Sequence, residues 1–118
     1  MLIDCWATWC SPCIAELRHS KELHRFLDSA KVNLLYLSFD APTNRKILPT
    51  VQKYNLNGLH YVASDGITQS LIKLYQSETL EIPKFLLFDS QGNLLNANMK
   101  LPSSGNQFYQ QISNELKK

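Results

Sequence analysis

A chain of 118 residues with 44% hydrophobic and 19% charged content has the balance of one compact domain, long enough to bury a core without a disulfide scaffold. Its formal net charge is only +2, with Lys and Arg scattered along the chain, so no basic stripe points to nucleic acid or acidic lipid. The longest apolar stretches, VNLLYLSF and FLLF, fall far short of the roughly 20 residues a membrane helix needs and read as buried strands.

Residues 1–7 (MLIDCWA) are apolar and rich in strand formers, whereas Ser11 to about Ala30 holds Glu, Leu, Lys and Arg with no glycine, which predicts a strand leading into a helix. The start lacks a charged leader region and a small-residue cleavage site, so it reads as the opening of a core strand, with upstream residues and any export signal missing. Residues 31–40 (KVNLLYLSFD) form a nearly continuous apolar run ending at Asp40, the pattern of a central strand covered on both faces and parallel to the first. Within 41–58 a helix of two to three turns is expected, with Pro49 in its first turn and Gly58 past its end. LHYVA (59–63) reads as a short strand and 67–76 as a second helix. Residues 81–99 predict strand, turn and strand, with DSQGN (89–93) as the turn. From Pro102 onward an N-capped helix is expected, with Phe108, Ile112 and Leu116 spaced four apart on one face. This order implies an α/β fold with a right-handed crossover between parallel strands and an added antiparallel pair. The first helix then begins at the carboxyl edge of a central strand, where α/β sheets place their chemistry.

Cys10 and Cys13, at the start of that helix, can be read as a redox pair, half a zinc site or a structural staple. A zinc site needs about four ligands, and the nearest nitrogens do not converge: on one helix His24 lies roughly 16 Å from Cys13, and His19 is turned about 120° away. A structural disulfide between such close residues closes too small a loop to gain much. Redox use is therefore favoured over both. Pro12 suits a first helical turn, and a sulfur at the helix start meets unsatisfied N–H groups that stabilise a thiolate. Lowering a thiol pKa from about 8.5 to about 7 takes roughly 2 kcal/mol, whereas an exposed helix terminus supplies only about 0.3–1 kcal/mol. The Cys13 N–H and thiol and the Ser11 hydroxyl are the donors expected to supply the rest. A stabilised thiolate makes the disulfide more oxidising, so the Ser11-Pro12 pair tunes the potential.

The segment LIDCWATWCSPC resembles the active-site segment of the thioredoxin superfamily, and WCSPCIAEL with the later IPKFLLFDSQGNLL is more similar to its TlpA/ResA-type thiol-disulfide oxidoreductases, over nearly the whole chain. The resemblance implies one thioredoxin-like domain over 1–118: a central mixed sheet of a parallel strand-helix-strand unit plus an antiparallel hairpin, flanked by helices. A helical insert at about 41–81 precedes the proline the family holds in cis, and the family's N-terminal strand or hairpin is missing. It further implies that Cys10 is the attacking thiolate and Cys13 the resolving thiol. Pro83 matches the cis-proline, whose preceding residue, Ile82, pairs its backbone with an extended substrate. Asp4 matches a buried proton relay beneath Cys13, and Glu16 an acidic residue on the same helix face as Cys13. Trp9 is read as a platform for substrate, a role weighed for Trp6 against burial in the core.

The implied function is reduction or exchange of disulfides in protein substrates through a mixed disulfide, with no cofactor beyond the Cys10/Cys13 couple. The implied partners are protein thiols or disulfides and an upstream electron donor or acceptor protein, with no nucleic acid and no membrane contact from this segment, the chain acting as a monomer. By the same resemblance the full-length protein is periplasmic, or membrane-anchored facing the periplasm. A thiol peroxidase of the same superfamily and a redox-inert binding module are the alternatives, to be recognised by hydroperoxide consumption or by the lack of dithiol turnover.

The chain departs from the family in several places. Tyr36 stands where a lysine usually faces the buried carboxylate. Arg18 replaces the usual helix proline, yet the apolar positions change phase between Ile14/Leu17 and Leu23/Phe26/Leu27, which predicts a bend. Cys5 replaces an aromatic residue and is read as a small buried hydrophobe, and His19, His24 and His60 as surface residues.

Overall fold

A computed structural model describes residues 1–74 and 79–118. The first predicted strand is β1 (Leu2–Trp6), followed by a helix that breaks where the apolar phase changes: α1 (Ser11–Glu16) and α2 (Ser20–Ala30) are joined by a 3₁₀ turn over Leu17–His19. The tighter winding lets Leu17, Leu23 and Leu27 all enter one core. β2 (Leu34–Ser38) is shorter than expected because Lys31 takes a left-handed conformation (φ 57°) that ends α2 and turns the chain.

In α3 (Ile47–Lys53) Pro49 occupies the first turn, as its missing N–H requires. β3 (Leu59–Val62) follows, and α4 (Asp65–Leu74) starts earlier than predicted because Ser64 Oγ accepts from the Ile67 N–H at 3.1 Å. Positions 75 and 76 of the helix expected at 67–76 lie outside the described residues. β4 (Lys84–Phe88) and β5 (Leu94–Asn96) flank the predicted turn, in which Asp89 Oδ1 accepts from the N–H groups of Gln91 and Asn93 at 2.9 and 2.8 Å. The side-chain N-cap expected on the last helix is absent: Gly105 precedes α5 (Asn106–Leu116), and the serines before it lie in a 3₁₀ turn, Pro102–Ser104. Phe108 and Ile112 of α5 are buried, while Leu116 on its last turn is 41% exposed.

The strands form one five-stranded sheet in the order β3-β2-β1-β4-β5. β1, β2 and β3 run parallel, and β4 and β5 complete an antiparallel half. The insert is thus not wholly helical, since β3 extends the parallel half as an edge strand. Its entry depends on Gly58 (φ 147°), where a Cβ would come within 2.8 Å of the Leu34 carbonyl oxygen.

Alternation along β1 sorts the core into two layers. Leu2 and Trp6 join Cys13, Leu17, Leu23, Leu27, Phe85 and Phe108 in a cluster under α1, α2 and α5. Cys5 turns the other way and packs with Leu37, Leu86 and Leu71 of α4. Cys5 is the small buried residue expected, with its thiol pushed up to about 12, chiefly by burial and then by the Asp4 charge.

Candidate active site

The chain leaves β1 at Trp6 and reaches α1 through Ala7, Thr8, Trp9 and Cys10, with the Cys10 N–H donating to the Ala7 carbonyl at 3.2 Å. Cys10 is the N-cap residue of α1, Pro12 lies in its first turn, and Cys10 and Cys13 are joined as a disulfide. The Cys13 N–H points at Cys10 Sγ, 3.3 Å away, so one of the donors expected for the sulfur is in place. Because the 3₁₀ turn limits α1 to six residues, this direct contact weighs more than any long helix dipole. Ser11 and Pro12 are exposed beside it.

Cys10 is only 6% exposed, against 1% for Cys13. The cause is close cover from the loop before β4: the Ile82 carbonyl oxygen lies 3.9 Å from Cys10 Sγ, and the Ile82–Pro83 bond is cis. Trp9 is 67% exposed beside the disulfide, its indole N–H donating to the Phe39 carbonyl at 3.3 Å. Trp6, by contrast, is buried in the core.

Asp4 is 4% exposed, and its carboxyl is pushed up to about 8, first by burial and then by the charge of Glu16. The register pairs Asp4 with Tyr36, so a phenol stands across from it where a lysine would have offered a charge. Burial, then the Asp4 charge, pushes the Tyr36 hydroxyl up as well. Tyr36 stacks on His60 with ring centroids 4.8 Å apart, and its hydroxyl lies 2.8 Å from His24 Nε2. His24 is therefore half-buried rather than a surface residue, and burial lowers its pKa. His60 is exposed, and its Nε2 lies 2.6 Å from the Leu56 carbonyl oxygen. Glu16 is half-buried, and its Oε1 accepts from the Ser103 N–H at 2.9 Å, tying α1 to the turn before α5.

One constellation escaped the sequence reading. Asp40, just past β2, is 5% exposed, and its carboxylate accepts from the Thr8 N–H at 3.0 Å, Thr8 Oγ1 at 2.6 Å, Ser38 Oγ at 2.6 Å and Asn44 Nδ2 at 3.0 Å. These bonds clamp the loop that delivers Trp9 and Cys10 to the end of the neighbouring strand. The only signal in the sequence was an acidic residue closing an apolar run, with Asn44 four residues on. Among the described residues no group of three or more His, Cys, Asp or Glu is placed to hold a metal.

A thioredoxin-like family profile matches residues 1–94 of the chain. A comparison with curated proteins finds no match. Among solved structures, a Bacteroides vulgatus protein provisionally named a thiol-disulfide oxidoreductase is 30% identical, with a TM-score of 0.66 over 96% of this chain and 73% of that one. A thiol:disulfide interchange protein of the thioredoxin family from Chlorobium tepidum is 14% identical, with a TM-score of 0.77 over 98% and 78%. A secreted Mycobacterium tuberculosis disulfide oxidoreductase is 20% identical, with a TM-score of 0.67 over 96% and 79%. The last two likenesses are of fold.

Proposed function

The chain belongs to the thioredoxin-like family, and on that premise we propose that it is a thiol-disulfide oxidoreductase in which Cys10 and Cys13 exchange electrons with disulfides of protein substrates. The observation that carries this reading is the Cys10–Cys13 disulfide at the start of α1, with the Ile82 carbonyl 3.9 Å from the Cys10 sulfur. In the dithiol form, the Cys10 thiolate attacks one sulfur of a substrate disulfide, forming a mixed disulfide and releasing the other sulfur as a thiolate. The Cys13 thiolate then attacks Cys10 Sγ, which closes the Cys10–Cys13 bond and releases the second substrate sulfur. Two electrons pass to the substrate, and the protons of the two protein thiols end on the two substrate thiols.

Cys10 takes the first role because it is the more exposed of the two cysteines and has the Cys13 N–H to stabilise its thiolate. Glu16 and Asp4 serve proton transfer at Cys13. Their support is placement: Asp4 is buried on the face of β1 that looks toward α1, close enough to Glu16 for its carboxyl to feel that charge. Trp9, Ser11, Pro12, Ile82 and Pro83 form the rim that meets the substrate.

The electrons reside on the two sulfurs, so the exchange itself needs no bound cofactor. Recycling requires a dithiol donor protein upstream. The chain acts as a monomer, without nucleic acid and without membrane contact from this segment. Among the described residues no helix is long and apolar enough to cross a membrane. A periplasmic setting is proposed from the resemblance to TlpA/ResA-type proteins.

The test uses two variants and a disulfide-bearing peptide. Cys13→Ser should accumulate a covalent adduct on Cys10, because nothing resolves it, and Cys10→Ser should form little adduct and turn nothing over. Mass spectrometry distinguishes the outcomes; adduct on Cys13 of the Cys10→Ser protein, formed as fast as in the other variant, would reverse the assignment.

A further inference from the structure

Lys and Arg are scattered along the sequence, but the fold gathers several of them on one flank, along α2 and the end of α3. Arg18, Lys21 and Arg25 recur three and four residues apart, so they share a helix face, and together they line a concavity of about 240 Å³. Lys21 and Arg25 also line a groove of about 530 Å³ whose other wall is Tyr54 and Asn55, just past α3. The two walls are tied by the Ser20 hydroxyl, which donates to the Tyr54 carbonyl at 3.1 Å. Lys53 joins them, its Nζ 5.3 Å from the centre of the Tyr54 ring. Arg18, Lys21, Arg25 and Lys53 are all exposed, and among the described residues their side chains have no ion pair and no hydrogen bond. Glu22 and Asp28 are the only described acids lining the two concavities, and residues 41–64 hold Arg45, Lys46 and Lys53 with no acidic residue.

We propose that this flank docks an acidic segment of the protein that exchanges electrons with the Cys10–Cys13 couple. The proposal rests on the thiol-disulfide reading and names the charge of the partner selected. Cations gathered without internal partners repel one another, whereas a surface with no binding role interleaves the two signs. A carboxylate-rich segment supplies the missing counter-charges. Because the cations stand in water, each new pair would add little affinity, about 0–1 kcal/mol; their summed field instead raises the rate of encounter with an acidic surface. Arg18 lies five residues past Cys13 and Arg25 twelve, which at about 1.5 Å per residue puts them roughly 8 and 18 Å along the helices from the reactive pair. A standard interface covers about 800 Å² of each partner, a disc ~30 Å across, so a protein seated over Cys10 also reaches this flank. Nucleic acid is the weaker occupant: Glu22 and Asp28 interrupt the cations, leaving no continuous track for a phosphate backbone.

The experiment follows the single-turnover reaction of the reduced chain with disulfide-linked homodimers of two peptides. Each peptide carries one Cys, a Gly/Ser spacer of about six residues that spans ~20 Å when extended, and a tail of either Glu or Gln. Each event consumes one protein dithiol and yields two peptide thiols and the Cys10–Cys13 disulfide. At about 20 mM salt the Glu peptide should react roughly tenfold faster than the Gln peptide, and the ratio should fall toward unity at about 0.5 M as the charges are screened. Lys21→Glu combined with Arg25→Glu should bring the low-salt ratio to unity or below. Lys117→Glu combined with Lys118→Glu changes the net charge equally at the other end of α2, where Lys118 lines a concavity with Ala30 and Lys31, and should keep most of the preference. The Gln-peptide rate in each variant shows that it is folded and reactive. Equal low-salt rates for the two peptides on the unaltered chain overturn the docking and leave the oxidoreductase reading standing. An equal loss of preference in the two double variants overturns its placement, because net charge alone then accounts for it. Failure of both peptides to react overturns the oxidoreductase reading, and the docking with it.

Discussion

Replacing Asp4 by Asn should leave stability near pH 4 unchanged and remove a loss that grows as pH rises. Burial pushes the Asp4 carboxyl up to about 8 in the folded chain, against 3.8 when solvated. Between those values the folded state keeps a proton that the unfolded state has released. Stability therefore falls as pH rises, by about 1.4 kcal/mol per unit for one proton, from about pH 4 until it levels off near pH 8. Over a span of about four units the cost is of order 5 kcal/mol, an upper bound because water penetration moderates burial. Asn resembles the protonated carboxyl in shape and does not titrate. The two proteins should match near pH 4, and Asp4→Asn should gain steadily on the original up to pH 8. Urea unfolding of both oxidised proteins at one-unit intervals from pH 4 to 9 measures this difference. Parallel stability curves would show that Asp4 is ionised in the folded chain and would refute the argument from burial.

Glu16→Gln keeps an acceptor for the Ser103 N–H, so its unfolding midpoint should move little, while resolution of the mixed disulfide slows roughly tenfold or more between pH 6 and 8. Unchanged resolution rates in stopped-flow would remove Glu16 from proton transfer. Asp40→Ala takes the acceptor away from the half-buried Thr8 N–H and the buried Ser38 hydroxyl and should cost about 2–4 kcal/mol in urea unfolding at pH 7. A loss under about 0.5 kcal/mol would mean the clamp contributes little.

The residues that speak through local chemistry were legible in the sequence. Cys10 and Cys13 stand at the helix start where Pro12 placed them, Tyr36 faces Asp4, and the apolar phase change near Leu17 marks a real break in the helix. What failed to show were features set by tertiary contact. Asp40 reads as a strand end, and only the approach of Thr8 and Asn44 turns it into a clamp. Cys10 is covered by Ile82, which is 72 positions away. His24 was drawn inward by Tyr36 through a bond across the α2–β2 interface. The serines before α5 have the composition of a cap, but Pro102 winds them into a 3₁₀ turn and Glu16 takes the Ser103 N–H instead.

The central strand has a bearing on how the chain must be assembled. β1 pairs on one side with β2, at Leu2 with Leu34, and on the other with β4, at Leu2 with Leu87. At a synthesis rate of about 5–20 residues per second, one edge of β1 waits on the order of 10 s for its second partner. Three cysteines, Cys5, Cys10 and Cys13, allow three different pairings before the sheet is complete. In the folded chain Cys5 is closed in by Leu37 of β2, Leu71 of α4 and Leu86 of β4, away from the other two. A crosslink from Cys5 to either of the others, made before that packing is complete, would hold the strand that carries the site in a form incompatible with the observed Cys10–Cys13 pair and buried Cys5.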